Sequence, residues 1–244
     1  MQKNNPLISV ITVSFNSAKT IEKTILSVIN QTYKNIEYII IDGGSTDGTI
    51  DVIKKYQNKI SYWVSEKDNG ISDAFNKGII ASHGEIIGII NSDDWYELDA
   101  LETIAKLDNE KHSDLYVGAL RYWLDNKKYI IIKPNRKYKR IISFYMPKLP
   151  HPATFVRKET YNEIGLFNIK YKYVMEYDLF LRAYLNKKVI CFSDQVFSNM
   201  LTGGVSYINK EKAYKEIFKI SKNKILGFIF YLVVLIKLKL SIRK

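Results

Sequence analysis

Two carboxylates stand side by side at Asp93-Asp94, directly after the apolar run Ile86-Ile87-Gly88-Ile89-Ile90-Asn91-Ser92. Neighbouring acids repel each other unless a cation sits beside them, and hard ions such as Mg²⁺ or Mn²⁺ take oxygen ligands that they share with a substrate phosphate. The pair reads either as a metal-bridged phosphate site or as a strand end whose acids cap the next helix. A second cluster, Asp42-Gly43-Gly44-Ser45-Thr46-Asp47-Gly48, follows the run Ile36 to Ile41. Its glycines permit close backbone approach, and Asp42 is placed to accept hydrogen bonds from a base or ribose. The competing reading is a tight turn in which Thr46 or Asp47 caps a helix. Asp73, Asn76 and Lys77 share the polar side of one helical pattern. Glu176 and Asp178 fall in or just before the first turn of another, where the helix dipole also stabilises carboxylates.

The elements that must position these groups alternate regularly. Leu7 to Val13, Ile36 to Ile41, Ile60 to Ser65 and Ile86 to Asn91 are β-branched runs with the look of buried parallel strands. Between them Ile21, Ile25, Val28 and Ile29, then Ile50, Ile53 and Tyr56, then Ile71, Phe75, Ile79 and Ile80 recur at helical spacing. This order predicts an α/β doubly wound sheet with right-handed crossovers, whose ligands bind at the carboxyl ends of the strands. No G-x-G-x-x-G follows the first strand and no G-x-x-x-x-G-K-[ST] occurs, which argues against a dinucleotide dehydrogenase or a P-loop enzyme. Leu115 to Trp123 and Tyr129 to Lys133 read as a hairpin around Asp125 to Lys128, followed by the basic loop Lys133 to Lys137.

With 244 residues, 46% hydrophobic and 25% charged, the chain has enough apolar material for one sizeable core and a small appendage. The single cysteine, Cys191, lies in the apolar run Val189 to Phe192 and reads as a buried structural thiol. No disulfide framework exists, and Met1 to Asn5 lacks the apolar core of a signal peptide, so a reducing cytoplasmic setting is expected. The net charge of +12 is concentrated after Gly204, with no zinc-finger spacing, RNP-like motif or arginine cluster, and nucleic-acid binding is not expected. In the tail, Tyr214, Ile217, Phe218 and Ser221 recur at helical spacing among lysines, and Ile225 to Ile236 is almost wholly apolar before Lys237, Lys239, Arg243 and Lys244. That apolar run is shorter than the roughly 20 residues of a spanning helix. It suits either a docked core helix or a segment lying in the interface of an anionic leaflet.

Ile8 to Asn16, Gln31-Thr32-Tyr33, Ile41 to Thr49, Asp73-Ala74-Phe75-Asn76-Lys77-Gly78 and Asn91-Ser92-Asp93-Asp94 together resemble the successive signatures of family 2 glycosyltransferases. The resemblance covers residues 1–205 and implies the GT-A fold: a Rossmann-like nucleotide-binding, mostly parallel central sheet flanked by helices. Residues 1–95 would form the nucleotide-sugar half and 96–205 the acceptor half, with 206–244 a C-terminal helical extension associated with the membrane. By resemblance, Val13 and Phe15 line the base pocket and Asp42 holds the uracil or ribose. Asp93 then contacts the nucleotide-sugar, Asp94 meets the diphosphate-bound Mn²⁺ or Mg²⁺, and Asp73 faces the donor sugar. His151 leads a strand near the active site, either in contact with the substrate or as a structural group. Leu201 to Ser206, with Gly203 and Gly204, closes the acceptor side.

Inverting transfer needs a base opposite the leaving nucleotide. Glu176 occupies the family's acidic catalytic position, where Asp is the usual residue, and Asp178 is the second candidate. The expected activity is transfer from a nucleotide-sugar, UDP-linked by expectation, to a saccharide acceptor. That acceptor would be lipid-linked, in bacterial surface polysaccharide or glycan synthesis, at the inner face of the cytoplasmic membrane. A metal-dependent nucleotidyltransferase or sugar-nucleotide hydrolase would share the acid pair. No glycine- and arginine-rich loop of the sugar-phosphate nucleotidyltransferase type follows the first strand, however. A non-catalytic nucleotide-binding homologue would have no use for the acids.

Overall fold

Seven consecutive buried residues, Ile8–Ser14, form β1, the axis of the sheet. In the computed structural model, which describes residues 5–125, 127–202 and 209–241, β1 pairs in parallel with β2 (Ile36–Asp42) on one side and β4 (Ile86–Asn91) on the other. β3 (Tyr62–Ser65) extends β2, again in parallel. The registers bring the strand ends level, Ser14 beside Asp42, Asp42 beside Ser65, and Val13 beside Asn91. Side chains alternate along β1. Ile11 and Val13 enter one apolar cluster with Phe75 and Ile79 of α3 (Ile71–Ala81), while Ile8 and Val10 enter a second with Ile21 and Ile25 of α1 (Ile21–Ile29) and Ile53 of α2 (Thr49–Lys55). Both faces are covered, which is why these strands are apolar throughout rather than alternating.

The expected parallel sheet thus holds over β3-β2-β1-β4, and the second half is mixed. β8 (Thr154–Arg157) runs antiparallel to β4 and to β6 (Leu115–Trp123). β6 is parallel to the long β9 (Ile190–Leu201) and antiparallel to β7 (Tyr129–Ile132), and β5 (Trp95–Tyr96) closes on β9. The full order is β3-β2-β1-β4-β8-β6-β9-β5, so one sheet runs through both halves. Helices α4 (Ala100–Glu110), α5 (Lys158–Ile164) and α6 (Met175–Leu185) complete its flanks. At the joint, a Cβ on Gly88 of β4 would lie 2.4 Å from Phe155 Cε1 and 2.9 Å from the Tyr96 hydroxyl.

The tail divides in two. α7 (Lys210–Ile220) is the expected amphipathic helix, but Ala213, Ile217 and Ile220 are buried in the same cluster as Tyr177 and Leu181 of α6. Its apolar stripe is therefore spent on the protein, and the first half of the tail is part of the core rather than a free appendage. α8 (Lys224–Ser241) packs through Phe230 against Tyr145, ring centroids 4.0 Å apart, and through Phe228 and Tyr231 against Phe218. It leaves Ile225, Leu226, Ile229, Leu232, Val233 and Ile236 exposed, a spacing that puts them on one face. Among the described residues no helix is long and apolar enough to cross a membrane. The side chains of Lys237 and Lys239, and residues Arg243 and Lys244 altogether, lie outside the described part.

Replacing the glycine at the sheet joint is expected to show how tightly the halves meet. Gly88→Ala should lower the free energy of unfolding by about 1–3 kcal/mol, the usual cost of forcing a methyl group into a filled core. Denaturant titration followed by tryptophan fluorescence measures it, and an unchanged midpoint would mean that Phe155 can move aside.

Candidate active site

Three loops at the carboxyl ends of β1, β2 and β4 build the rim. Because the strands end level, Ser14, Asp42 and Ser65 fall side by side, and the Asp42 carboxylate takes hydrogen bonds from all its neighbours. Ser14 Oγ and Ser45 Oγ donate to Oδ1 at 2.8 and 2.6 Å. Ser65 Oγ, Ser45 N–H and Gly44 N–H donate to Oδ2 at 2.6, 2.8 and 3.1 Å. Those bonds hold the carboxyl below its ordinary range against the opposing effect of burial. The loop over it is stitched to the β1–α1 loop: Asn16 N–H donates to Ser45 Oγ at 2.7 Å, Thr46 N–H to Asn16 Oδ1 at 3.0 Å, and Ala18 N–H to Asp47 Oδ2 at 3.0 Å. Gly44 and Gly48 supply the left-handed backbone this requires, with φ of 83° and 97°. Asp42 is thus shut from solvent with its lone pairs in use, and a base or ribose would reach it only by displacing one of these donors. In this structure its hydrogen bonds organise the loop.

Phe15 is 63% exposed, its ring free to stack on a flat ligand, whereas Val13 is a core residue beneath the rim. The floor beside Phe15 contains a carboxylate that the sequence reading passed over. A Cβ on Gly43 would meet Asp68 Oδ2 at 2.7 Å and the Phe15 ring at 3.3 Å, so the absence of a side chain at Gly43 opens the space that these two groups face. The signal was present as a second acid after a strand, in Glu66-Lys67-Asp68, without anything to show which way it points. Asp73, at the start of α3, uses one oxygen to accept the Asn69 N–H at 2.9 Å.

The acid pair is split by the turn that follows β4, in which the Asp94 N–H donates to the Asn91 carbonyl at 3.1 Å. Asp93 is exposed and faces outward, while Asp94 is 1% exposed and turned inward. Both Asp94 oxygens and Asn91 Oδ1 are buried without a hydrogen-bond partner. Burial raises the Asp94 carboxyl well above the usual range, and the Asp93 charge raises it further. In this structure Asp93 is thus the more accessible of the two acids and Asp94 the buried one. The site does fit a divalent ion, since no protein cation pairs with either acid among the described residues and two orphaned carboxylate oxygens lie directly behind. Nor do the described residues hold any group of three or more His, Cys, Asp or Glu arranged for a metal. The remaining ligands would have to come from phosphate and water, which suits Mg²⁺ or Mn²⁺.

On the other side, α6 opens with Met175-Glu176-Tyr177-Asp178. Glu176 keeps its carboxylate free of ion pairs among the described residues, and burial, with a smaller push from the charge of Glu216, raises it to about 7. Asp178 is engaged: its Oδ2 accepts from Arg182 Nε at 2.8 Å. The Arg182 guanidinium in turn donates to the carbonyls of Ile164, Gly165 and Leu166. Asp178, the second candidate base, is thus tied through Arg182 to the end of α5. The His151 ring is stacked on Phe75 at 5.2 Å and edge-on to Phe167 at 5.8 Å, and burial pushes it down to about 4, so it is neutral. Gly203 and Gly204 lie outside the described residues.

Residues 9–165 match the family model described as Glycosyl transferase family 2. The chain belongs to this family. An uncharacterized glycosyltransferase of Rickettsia typhi is 32% identical over 204 residues, 79% of this chain and 63% of that one, so this chain spans less than two thirds of the relative. An uncharacterized glycosyltransferase of Haemophilus influenzae is 28% identical over 240 residues, covering 94% of this chain and 95% of its own. In structure, the 1–349 fragment of S. aureus TarS in complex with UDP-GlcNAc is similar with a TM-score of 0.68 and 22% identity, over 87% of this chain and 65% of that one. A mannosyltransferase from Pyrobaculum calidifontis, in complex with GDP-Man and Mn²⁺, has a TM-score of 0.66 at 17% identity, over 88% of this chain and 63% of that one. These likenesses establish the GT-A fold.

Which acid of the pair meets the cation is open to a direct measurement. Asp93→Asn should weaken the Mn²⁺-dependent binding of UDP by about 10–100-fold in titration calorimetry, the scale on which metal sites respond to a lost supporting carboxylate. Asp94→Asn removes a buried, uncompensated charge and should raise the thermal midpoint in metal-free buffer. Undiminished Mn²⁺-dependent affinity in Asp93→Asn would return the ligand role to Asp94.

Proposed function

We propose that the protein transfers a sugar, with inversion, from a nucleotide-sugar, UDP-linked in our reading, to a hydroxyl of a saccharide acceptor. The observation that carries this is the presence of two chemically distinct acid sites: a pair just after β4 that no protein cation neutralises among the described residues, and a high-pKa carboxylate at Glu176 free of ion pairs among the described residues. The exposed Phe15 ring and the Asp68 carboxylate beside Gly43 suit a nucleobase, and the relatives' names support a sugar donor. Asp93, at the lip, orients the diphosphate. A bound divalent cation would neutralise charge growing on the leaving diphosphate. As the acceptor oxygen forms its bond to the anomeric carbon, the bond to the diphosphate oxygen breaks with its electron pair, and the hydroxyl proton passes to Glu176. A base near 7 suits that task at neutral pH. His151, neutral, packs the wall between α3 and the loop before α6 and carries no proton in this scheme.

Glu176→Gln should leave UDP binding unchanged while lowering transfer by about 10²–10⁴-fold. The wild-type rate should rise with pH through about 7 and then level, because the base must be unprotonated. The same shift has a stability sign. Its folded pKa lies above the unfolded value, so Glu176 favours the fold when protonated and that contribution is lost as pH rises through about 7. Glu176→Gln should consequently gain thermal stability relative to wild type between pH 6 and 8. Incubation with a panel of UDP- and GDP-sugars, Mn²⁺ and simple glycosides, with products weighed by mass spectrometry, tests the reading. No turnover of any donor would overturn it.

The acceptor, in our reading, is lipid-linked and reached at the inner face of the cytoplasmic membrane. The apolar face of α8, flanked by Lys222 and Lys224 before it and by Lys237, Lys239, Arg243 and Lys244 after it, suits an anionic bilayer surface. The membrane contact falls to α8 alone, since α7 is docked. Ile229→Asp with Leu232→Asp and Ile236→Asp should leave the fold intact and reduce sedimentation with phosphatidylglycerol vesicles by at least about tenfold, given roughly 0.8 kcal/mol for each buried CH₂ that is lost. Unchanged sedimentation would exclude α8 as the contact.

A further inference from the structure

Residues 165 to 174 lead from α5 to the first turn of α6 and so determine where Glu176 stands. No helix or strand organises them. Their main-chain groups are instead held by side chains from two helices remote in sequence. From α3, Asn76 closes a two-way bond with Phe167: Nδ2 donates to the carbonyl at 2.9 Å and Oδ1 accepts the N–H at 2.9 Å. One turn earlier, Ser72 Oγ donates to the Tyr171 carbonyl at 3.1 Å. From α7, Glu216 accepts the Lys172 N–H on both oxygens, at 3.0 and 3.2 Å, and the Tyr173 N–H at 2.9 Å.

Packing alone would close this segment, since Leu166, Phe167, Tyr171 and Tyr173 already lean on the core. What side-chain packing does not do is set the position of the backbone, whereas hydrogen bonds to N–H and C=O groups do, and a carboxylate acceptor makes the stronger kind. Ser72 and Asn76 lie four residues apart on the face of α3 turned to the segment, while Asp73 and Lys77 face the loop over the donor site. One rigid helix therefore touches the donor loop with one face and the lead-in to the base with the next. We propose that Asn76 and Glu216 are positioning residues, which hold Glu176 in register with the donor from opposite sides. The inference rests on Glu176 being the base. It gives α7 a function within the reaction, though the sequence suggests an anchor.

The test uses the full chain with Asn76→Ala, Asn76→Asp, Glu216→Ala and Glu216→Gln, alongside Glu176→Gln. Three quantities are read: nucleoside diphosphate release from the donor panel above, UDP affinity with Mn²⁺, and amide hydrogen exchange over residues 165–174. In the alanine variants turnover should fall by about 10–100-fold, since a misplacement on the order of 1 Å costs that much. UDP affinity should stay within about twofold, and exchange in the segment should quicken at least about tenfold. Glu216→Gln, which keeps a carbonyl acceptor, should recover most of the turnover, and Asn76→Asp, which loses the donor to Phe167, should not. If the alanine variants do not fold, the Gln and Asp pair decides alone. Quickened exchange with unchanged turnover would make the bonds structural and overturn the proposal, as would unchanged exchange. Normal turnover in Glu176→Gln would fail the base assignment by itself, and the exchange data would still report whether Asn76 and Glu216 hold the segment.

Discussion

The hydrogen-bonded carboxylate of Asp42 is the constraint on which the site's architecture rests. A buried charge is tolerated when its lone pairs are filled, and here donors arrive from β1, the β2–α2 loop and β3 together. Ser14 at the end of β1 and Ser65 at the end of β3 meet the same group, so three adjacent strands end at a common level and their loops are drawn over it. A rim assembled around one anion is stiff, and the exposed groups it carries, Phe15 above all, inherit that stiffness. Charge is thus used twice in this half of the molecule: satisfied and silent at Asp42, unsatisfied and reactive at the end of β4.

The buried carboxyl of Asp94 is costly to ionise, because burial and the Asp93 charge both oppose its charged form. Such strain at a strand end is the mark of a place built to receive something. Glu176, at the start of α6, is likewise a buried carboxylate without an ion pair among the described residues, while Asp178 two residues later is committed to Arg182. The difference between these neighbours is one of helix face, since two positions along a helix turn through about half a circle.

Much of this was legible in the sequence, and the limits have physical causes. The strands β1, β2 and β4 could be read because unbroken β-branched runs have few other uses, and the helices because apolar residues recur at their period. Which of Asp93 and Asp94 is buried could not be read, because the pair lies in a turn beyond the end of β4, where neither strand nor helix periodicity sets the direction of a side chain. The docking of α7 was half legible: Ala213, Ile217 and Ile220 announce an apolar stripe, but a stripe does not name what covers it. Glu216 was invisible, one acid among lysines, since its partners are backbone amides more than forty residues away. The mixed second half of the sheet was illegible for a related reason, as β8 has four residues and finds its place by wedging Phe155 against Gly88.

That wedge also bears on how the chain assembles. β1, β2 and β3 pair with near neighbours in sequence, whereas β4 returns across 78 residues to set Ile86 beside Ile8, β8 across 71 to set Arg157 beside Ile86, and β9 across 75 to set Ile190 beside Leu115. Contacts between distant segments pay their loop-closure entropy before they are rewarded, so β1 to β3 should join first, and a chain whose β4 has seated on β1 must then wait for β8. During the wait the outer edge of β4, one of the most isoleucine-rich strands in the molecule, has no partner. An unpaired apolar edge invites another chain to pair with it. The short strand β8 is then both the seam between the two halves and the cap that ends a vulnerable interval, and the speed of its arrival governs the yield of folded protein.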